Sequence, residues 1–375
     1  MIKATFYVPA VFNFLENRIF SSVTFTNGVK NYLFMFVDLR KQLAEHGIDL
    51  ATQDINPPEE SRLIIAFDEV TFFQTYERRV GQLIYLILNE PEHYWPDVWE
   101  KRNHLVFDRV FTYDYTLADG QKYIHHYFAA DINDYPAFAD VSKVEFNQRK
   151  LLVLVAGMFQ LAPPRAGNNS LLYKRYLTMR WFGKHYPKQF DFYSRGLDPA
   201  LYESFRGLGV LRRLLPTAVT NRLVAWVAAH RRQEVEAICR GPVPPLDKLK
   251  VLRQYKFVVC YENSSSPGYV SEKLFDCLFS GTVPVYLGEP NIERFVPADC
   301  FIDRRSFATE EELATFLMSM SYIQYHQYIL AIRQFIATID HNKFGSVANA
   351  ERISKVLFAD LADPAHISRP IAPSV

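Results

Sequence analysis

Tyr255-Lys-Phe-Val-Val-Cys-Tyr-Glu-Asn263 leads into Ser264-Ser-Ser-Pro-Gly-Tyr269, then Val270-Ser-Glu-Lys-Leu-Phe-Asp-Cys-Leu-Phe-Ser-Gly281, then Thr282-Val-Pro-Val-Tyr-Leu-Gly288. The first block is a mainly β-branched and aromatic apolar run, broken only by Lys256, that passes into polar Glu262 and Asn263, the pattern of a buried strand ending in a loop. The second has turn chemistry. In the third, Leu274, Phe275, Leu278 and Phe279 recur at helical spacing, with Ser271 suited to cap the start and Gly281 the stop. The fourth is another strand, so the whole reads strand, loop, helix, strand. In such units the loop lies at the carboxyl edge of a parallel sheet, and the helix start offers unpaired N–H groups to an anion. Lys273 adds a full positive charge for phosphate. Glu272 beside it repels phosphate and suits sugar hydroxyls, so the pair fits a nucleotide sugar. Taken alone, two charges at a helix start are ordinary surface decoration; Glu262, Asn263 and three serines at a strand end make better ligand-loop material than core.

Working outward, Ala4–Val8, an amphipathic stretch Lys30–His46 closed by Gly47, Asp49–Thr52, Arg62–Phe67, Gln82–Leu88 and Val106–Tyr113 alternate strands with a helix. That order predicts a parallel α/β sheet. Asp131–Arg149 is polar, contains Pro136 and reads as the connection out. A second α/β half restarts at Lys150–Ala156, followed by a loop and a helix-period stretch over Ser170–Tyr186. The chain has 375 residues, and domains usually run to roughly 100–200 residues, so two are expected. We expect 1–149 as an N-terminal Rossmann-like acceptor-side domain, 150–350 as a C-terminal donor-binding domain and 351–375 as a tail.

The bulk properties mostly exclude. A net charge of +1 gives no field toward nucleic acid. Cys239, Cys260, Cys277 and Cys300 are widely spaced, without zinc spacing, and read as free thiols. His125-His126 has no metal-ligand partner at suitable spacing and reads as structural. The start lacks a signal-peptide pattern and no apolar run reaches the roughly 18–20 residues of a membrane span, so a cytoplasmic protein is expected. The sequons at Asn168 and Asn263 are then expected to stay unmodified. Phe205–Arg232 is the one strongly basic stretch, with arginines among Leu, Val and Trp226 and no acidic residue. It reads either as a helix resting on the inner face of an anionic membrane, near a lipid-linked acceptor, or as a packed helix with a solvated arginine face.

The quoted stretch, continued through Glu289-Pro-Asn-Ile292, resembles the donor motif of the α-1,3/4-fucosyltransferases, glycosyltransferase family ten, of the bacterial type. Leu88-Asn-Glu-Pro91 resembles the family's acceptor-side motif, and Phe301-Ile-Asp-Arg-Arg-Ser-Phe307 the stretch after the donor site. The resemblance implies an α/β GT-B fold, two facing Rossmann-like domains with a cleft between them. It also implies GDP-β-L-fucose as donor, an inverting transfer to a hydroxyl of a glycan acceptor, α-1,3 or α-1,4 on N-acetylglucosamine, and no metal or other cofactor. Asn263, Tyr269, Glu272 and Lys273 match its donor-contacting positions, and Arg175 in Tyr173-Lys-Arg-Tyr-Leu177 its pyrophosphate-binding arginine. Two departures stand out: proline directly follows Glu90, and Phe205–Arg232 has no obvious counterpart.

Inverting transfer requires a base facing the donor, and Glu90, at the carboxyl end of the strand Gln82–Leu88, is the expected one, with Glu92 as the alternative carboxylate. Lys273, Arg175 and the helix start would stabilise the leaving diphosphate. No Asp-x-Asp triplet, the usual metal-holding carboxylate pair for a nucleotide sugar, occurs in the chain. A transferase using another nucleotide sugar, or an inactive sugar-nucleotide-binding protein on the same scaffold, are the competing readings.

Overall fold

The computed structural model describes residues 1–21, 33–128, 132, 135, 140–157, 167–194, 208–244 and 247–363. Its contacts divide the chain into two compact units, one of Met1–Tyr135, Ser266–Glu272 and Ile339–Val375, the other of Pro136–Ser265 and Lys273–Thr338.

The first unit is built on β1 (Ile2–Tyr7), β2 (Ile48–Thr52), β3 (Leu63–Phe67), β4 (Leu83–Leu88), β5 (Arg109–Thr112) and β6 (Tyr123–His125). They form one six-stranded sheet in the order β2-β1-β3-β4-β5-β6, every pair parallel. Every residue of β3 and β4 is buried, because layers cover both faces and alternate residues serve different cores. Leu63, Ile65, Phe67, Tyr85 and Ile87 join a core with Phe36 and Leu39 of the helix Phe34–Glu45. Ile64, Ala66, Ile84, Leu86 and Leu88 join the opposite one with Val70, Phe73 and Phe107.

The stretch expected as a tail contributes to the first of these cores. Residues Ser346–Ala362 form a helix whose Ile353 and Leu357 are fully buried there; residues 364–375 lie outside the described ones. Its Asp360 accepts two hydrogen bonds from Arg109, each 2.7 Å, and one from the Tyr85 hydroxyl at 3.0 Å. The i, i+3, i+7 apolar pattern Ala350, Ile353, Leu357 makes burial the favourable state for this segment, which explains why it is no tail.

The second unit holds β7 (Lys150–Val155), β8 (Phe190–Tyr193), β9 (Tyr255–Tyr261), β10 (Val283–Leu287) and β11 (Ile302–Asp303). They form a five-stranded parallel sheet, β11-β10-β9-β7-β8. The expected division after residue 149 lies inside this unit. A short helix, Lys143–Gln148, is capped by Ser142, and the buried Arg149 donates to the Gly281 carbonyl at 2.7 Å and the Tyr325 hydroxyl at 3.0 Å. Those bonds, with a third to the Tyr255 carbonyl at 3.4 Å, tie the segment to β9, to the turn before β10 and to the helix Tyr322–Ala337, so it belongs with the second sheet.

Most expected elements are present with trimmed ends: Lys30–His46 is helical over Phe34–Glu45, Ser170–Tyr186 over Leu172–His185, and Val106–Tyr113 is a strand only over Arg109–Thr112. Residues 22–32, including the expected helix start at Lys30, lie outside the described residues.

Candidate active site

In the second unit β9 ends at Tyr261 and its successors curl into a polar loop. Arg175, from the helix Leu172–His185, is buried at 2% exposure. Its Nε donates to the Tyr261 carbonyl at 3.1 Å and its Nη2 to the same carbonyl at 2.5 Å and to Asn263 Oδ1 at 2.8 Å. A buried guanidinium is tolerated when its donors are satisfied, and here it fixes a strand end and a side-chain amide together. The Asn263 carbonyl accepts from Leu171 N at 2.9 Å, and Ser265 N donates to the Asn169 carbonyl at 2.8 Å. A bridge between Ser170 and Ser264 completes the tie.

Lys273 stands in the first turn of the helix Glu272–Phe279. It lines a pocket at the β7 and β9 strand ends together with Arg175, Lys248, Ala156, Tyr261 and Cys277. Two of the expected donor residues, Arg175 and Lys273, therefore share one cavity, and Arg175 holds a third, Asn263. Glu262, fully buried, lies 3.8 Å from Lys273. Lys248, which sequence reading passed over, pairs with Asp276; it sits outside the motif's strand and helix, so spacing gave no sign of it.

The other expected residues belong to the first unit. Ser266–Glu272 is grouped there by its contacts. The Tyr269 ring lies 5.2 Å from that of Tyr113 and 5.0 Å from that of Phe128, the latter edge-on. Gly268 has φ +77, and a Cβ there would lie 2.0 Å from the Tyr113 carbonyl oxygen. Gly268→Ala is expected to cost about 1–2 kcal/mol for the left-handed backbone alone, and the overlap with main chain displaces Tyr269 as well. A variant that melts like the parent and keeps its Tyr269 packing in a crystal structure contradicts this loop placement.

Glu90 follows β4 and is half-buried, whereas Glu92 is exposed. The Glu90 peptide is held from both sides: its N–H donates to Asp68 Oδ2 at 2.9 Å, and its carbonyl accepts from the Trp99 indole at 2.8 Å. Asn89 N donates to Asp68 Oδ1 at 2.8 Å. Burial, then the charge of Glu90, pushes the Asp68 carboxyl well above the usual range. Tyr113, at the end of β5, is buried with its hydroxyl lacking a hydrogen-bond partner among the described residues. Burial, then the charges of Asp68 and Glu90, raises its pKa. The carboxyl edge of this sheet thus gathers Asp68, Glu90, Tyr113 and Tyr269. An acid directly after the apolar run of β3 is the sequence signal that marks Asp68.

His126 also lies at this edge, just after β6, and is 1% exposed. Burial lowers its pKa to about 4, only partly countered by its bond to the Tyr127 carbonyl. It is therefore neutral in the fold at neutral pH. Since an unfolded histidine takes a proton near pH 6.5, stability is full above that value. It falls as pH drops toward 4, by up to about 3 kcal/mol. Denaturant midpoints across that window should show the decline, and His126→Gln should flatten it; an unchanged slope in the variant assigns the titration elsewhere.

The basic stretch is helical over Leu208–Leu214 and Thr217–Ile238, interrupted at Pro216, which cannot continue a helix; residues 205–207 lie outside the described ones. Thr220, Val224 and Val235 make one buried face, while Leu214, Val219 and Trp226 are exposed, Trp226 by 67%. Arg212, Arg213 and Arg222 are exposed with them. Among the described residues no helix is long and apolar enough to cross a membrane.

Two units, each with a parallel α/β sheet, make up the GT-B fold, and solved structures share it. An α1,3-fucosyltransferase with GDP-fucose superposes with a TM-score of 0.51 at 14% identity, over 97% of this chain and 92% of that one. Anabaena HepE, in complex with UDP and glucose, gives 0.51 at 13% identity over 96% and 100%. More particularly, residues 222–347 match the model of the C-terminal part of glycosyltransferase family 10 (fucosyltransferase). Human α-(1,3)-fucosyltransferase 7 is 37% identical over 111 residues, 28% of this chain and 32% of that protein. The α-(1,4)-fucosyltransferase of Arabidopsis thaliana is 40% identical over 80 residues, 20% of each chain. The matched stretch thus spans about a third, or less, of these relatives' length.

Proposed function

We propose that this protein transfers L-fucose from GDP-β-L-fucose to a hydroxyl of a glycan acceptor, with inversion and without a metal. The observation that carries this reading is the joining of Arg175, Asn263 and Lys273 around the end of β9, in a chain whose residues 222–347 match the fucosyltransferase family. Lys273 and Arg175 hold the diphosphate and stabilise the charge that grows on GDP as the glycosidic bond breaks. Asn263, Tyr269 and Glu272 contact the nucleotide sugar. Glu90 accepts the proton of the attacking hydroxyl; its half-buried, main-chain-clamped position favours it over the exposed Glu92.

Incubation with GDP-fucose, lactosamine-type acceptors and EDTA tests the proposal: product is expected, and loss of all turnover in EDTA overturns the metal-free step. A UDP-sugar donor is the second reading, favoured by the shared fold of HepE, whose structure holds UDP and glucose. Comparing the melting temperature with GDP, UDP and ADP sugars discriminates, because a ligand of the native state alone raises it.

The exposed arginines beside Val219 and Trp226 further suit an anionic bilayer surface on the cytoplasmic side, where a lipid-linked acceptor would be met. Co-sedimentation with phosphatidylglycerol vesicles, absent with phosphatidylcholine and weakened by Trp226→Ala, is the expected result. Equal recovery in the supernatant with both lipids rejects membrane contact.

A further inference from the structure

We propose that Asp68 is a positioning residue for Glu90, its carboxylate locking the main chain where that glutamate leaves β4. The inference rests on the reading of Glu90 as the base. Asp68 is 2% exposed and uses both carboxylate oxygens on consecutive N–H groups, those of Asn89 and Glu90, at 2.8 and 2.9 Å. Its own N–H donates to the Ile87 carbonyl at 3.0 Å, so β3 and β4 stay paired up to the point where the clamp begins. Its backbone is left-handed, φ +47, a conformation in which Asp and Asn are the least disfavoured side chains.

Nothing in strand pairing requires this arrangement. A fold that needed only to end β4 would leave these N–H groups to water or to a neutral side chain. Burying a carboxylate is costly unless it is hydrogen-bonded, and here the bonds all fall on the two residues that carry the candidate base. The Trp99 indole completes the grip from the carbonyl side of Glu90. Two further consequences are electrostatic. Burial and the charge of Glu90 raise the proton affinity of Asp68, so the two carboxyls titrate as a coupled pair. Tyr113, with Glu92 and Asp114 close enough to raise its pKa alongside Asp68 and Glu90, is the other titratable group of the edge.

Asp68→Asn keeps the shape and loses the charge and one acceptor; Asp68→Ala loses both acceptors. In the full chain both are expected to lower kcat for fucose transfer at least tenfold, with KM for GDP-fucose within twofold of the parent. In Asp68→Asn the acid limb of the kcat/KM profile should change in position or slope, because only one carboxyl of the coupled pair is left to titrate. Added formate should restore turnover to Glu90→Ala and leave Asp68→Ala unrescued. A parental kcat and parental acid limb in Asp68→Asn overturn the proposal, as does a loss of activity that only follows the folded fraction. If the parent itself turns over none of the nucleotide sugars, the functional reading fails instead. Amide hydrogen exchange at Asn89 and Glu90 then decides the clamp on its own: faster in Asp68→Ala if it holds, unchanged if it does not.

Discussion

Glu90→Gln is expected to reduce kcat for sugar transfer by about 100- to 10,000-fold, the usual worth of a positioned general base. GDP-fucose binding should be nearly untouched. The amide is isosteric and keeps whatever hydrogen bonds the side chain accepts through oxygen, but it cannot take the acceptor's proton. The main chain at this position is held by Asp68 and Trp99, so the substitution should not shift the backbone. Steady-state kinetics with varied donor and varied acceptor provide the check. Parental kcat in Glu90→Gln removes it from the role of base, and the same measurement on Glu92→Gln then asks whether the exposed neighbour holds that role.

Arg175→Ala is expected to lower transfer by about 100- to 1,000-fold, as removal of one preorganised donor to a developing negative charge commonly does. It should also lose most GDP-dependent thermal stabilisation. A second effect is structural. Nε and Nη2 of Arg175 satisfy the Tyr261 carbonyl and Asn263 Oδ1, and leaving buried acceptors unmet costs about 1–3 kcal/mol. Arg175→Lys separates the two: it retains a charge near the pocket but cannot fork between carbonyl and amide, so it should recover some GDP binding while the loop stays loosened. Parental affinity for GDP in Arg175→Ala, measured by calorimetry, refutes its place in the donor site.

How far the residues alone disclose this architecture depends on the kind of signal each element carries. β3, β4, β7 and β9 are visible because parallel strands covered on both faces are written as near-continuous apolar runs. β6, Tyr123–His125, and β8, Phe190–Tyr193, are too short and too polar at their flanks to stand out. Lys273 and Asn263 are visible because the strand-loop-helix motif predicts its own ligand edge. Lys248 is not, and Asp68 carries only the mark of an acid directly after β3, since the partners that give them meaning, the pocket walls and Asn89 with Glu90, lie at sequence separations no local period encodes. The tail reading failed over 351–362 for a related reason: a helical period does not say which sheet the helix will cover. The grouping of Ser266–Glu272 with the first unit is equally invisible locally, since only Gly268 hints at it, and its meaning depends on the Tyr113 carbonyl it must clear.

The return of Ser346–Ala362 to the first sheet bears on how the molecule is made. A ribosome releases β1 through β6 long before it releases the helix that supplies Ile353, Leu357 and Asp360 to their core. Until then, the surfaces of Phe36, Leu39 and Tyr85 that this helix covers are open to water. The intervening second sheet has all its strands in one continuous run of chain and can reach its native form first. The N-terminal unit is therefore the later one to mature, against the usual order of synthesis. A nascent chain halted before residue 346 should hold a protease-resistant second unit beside a first unit that still binds chaperone.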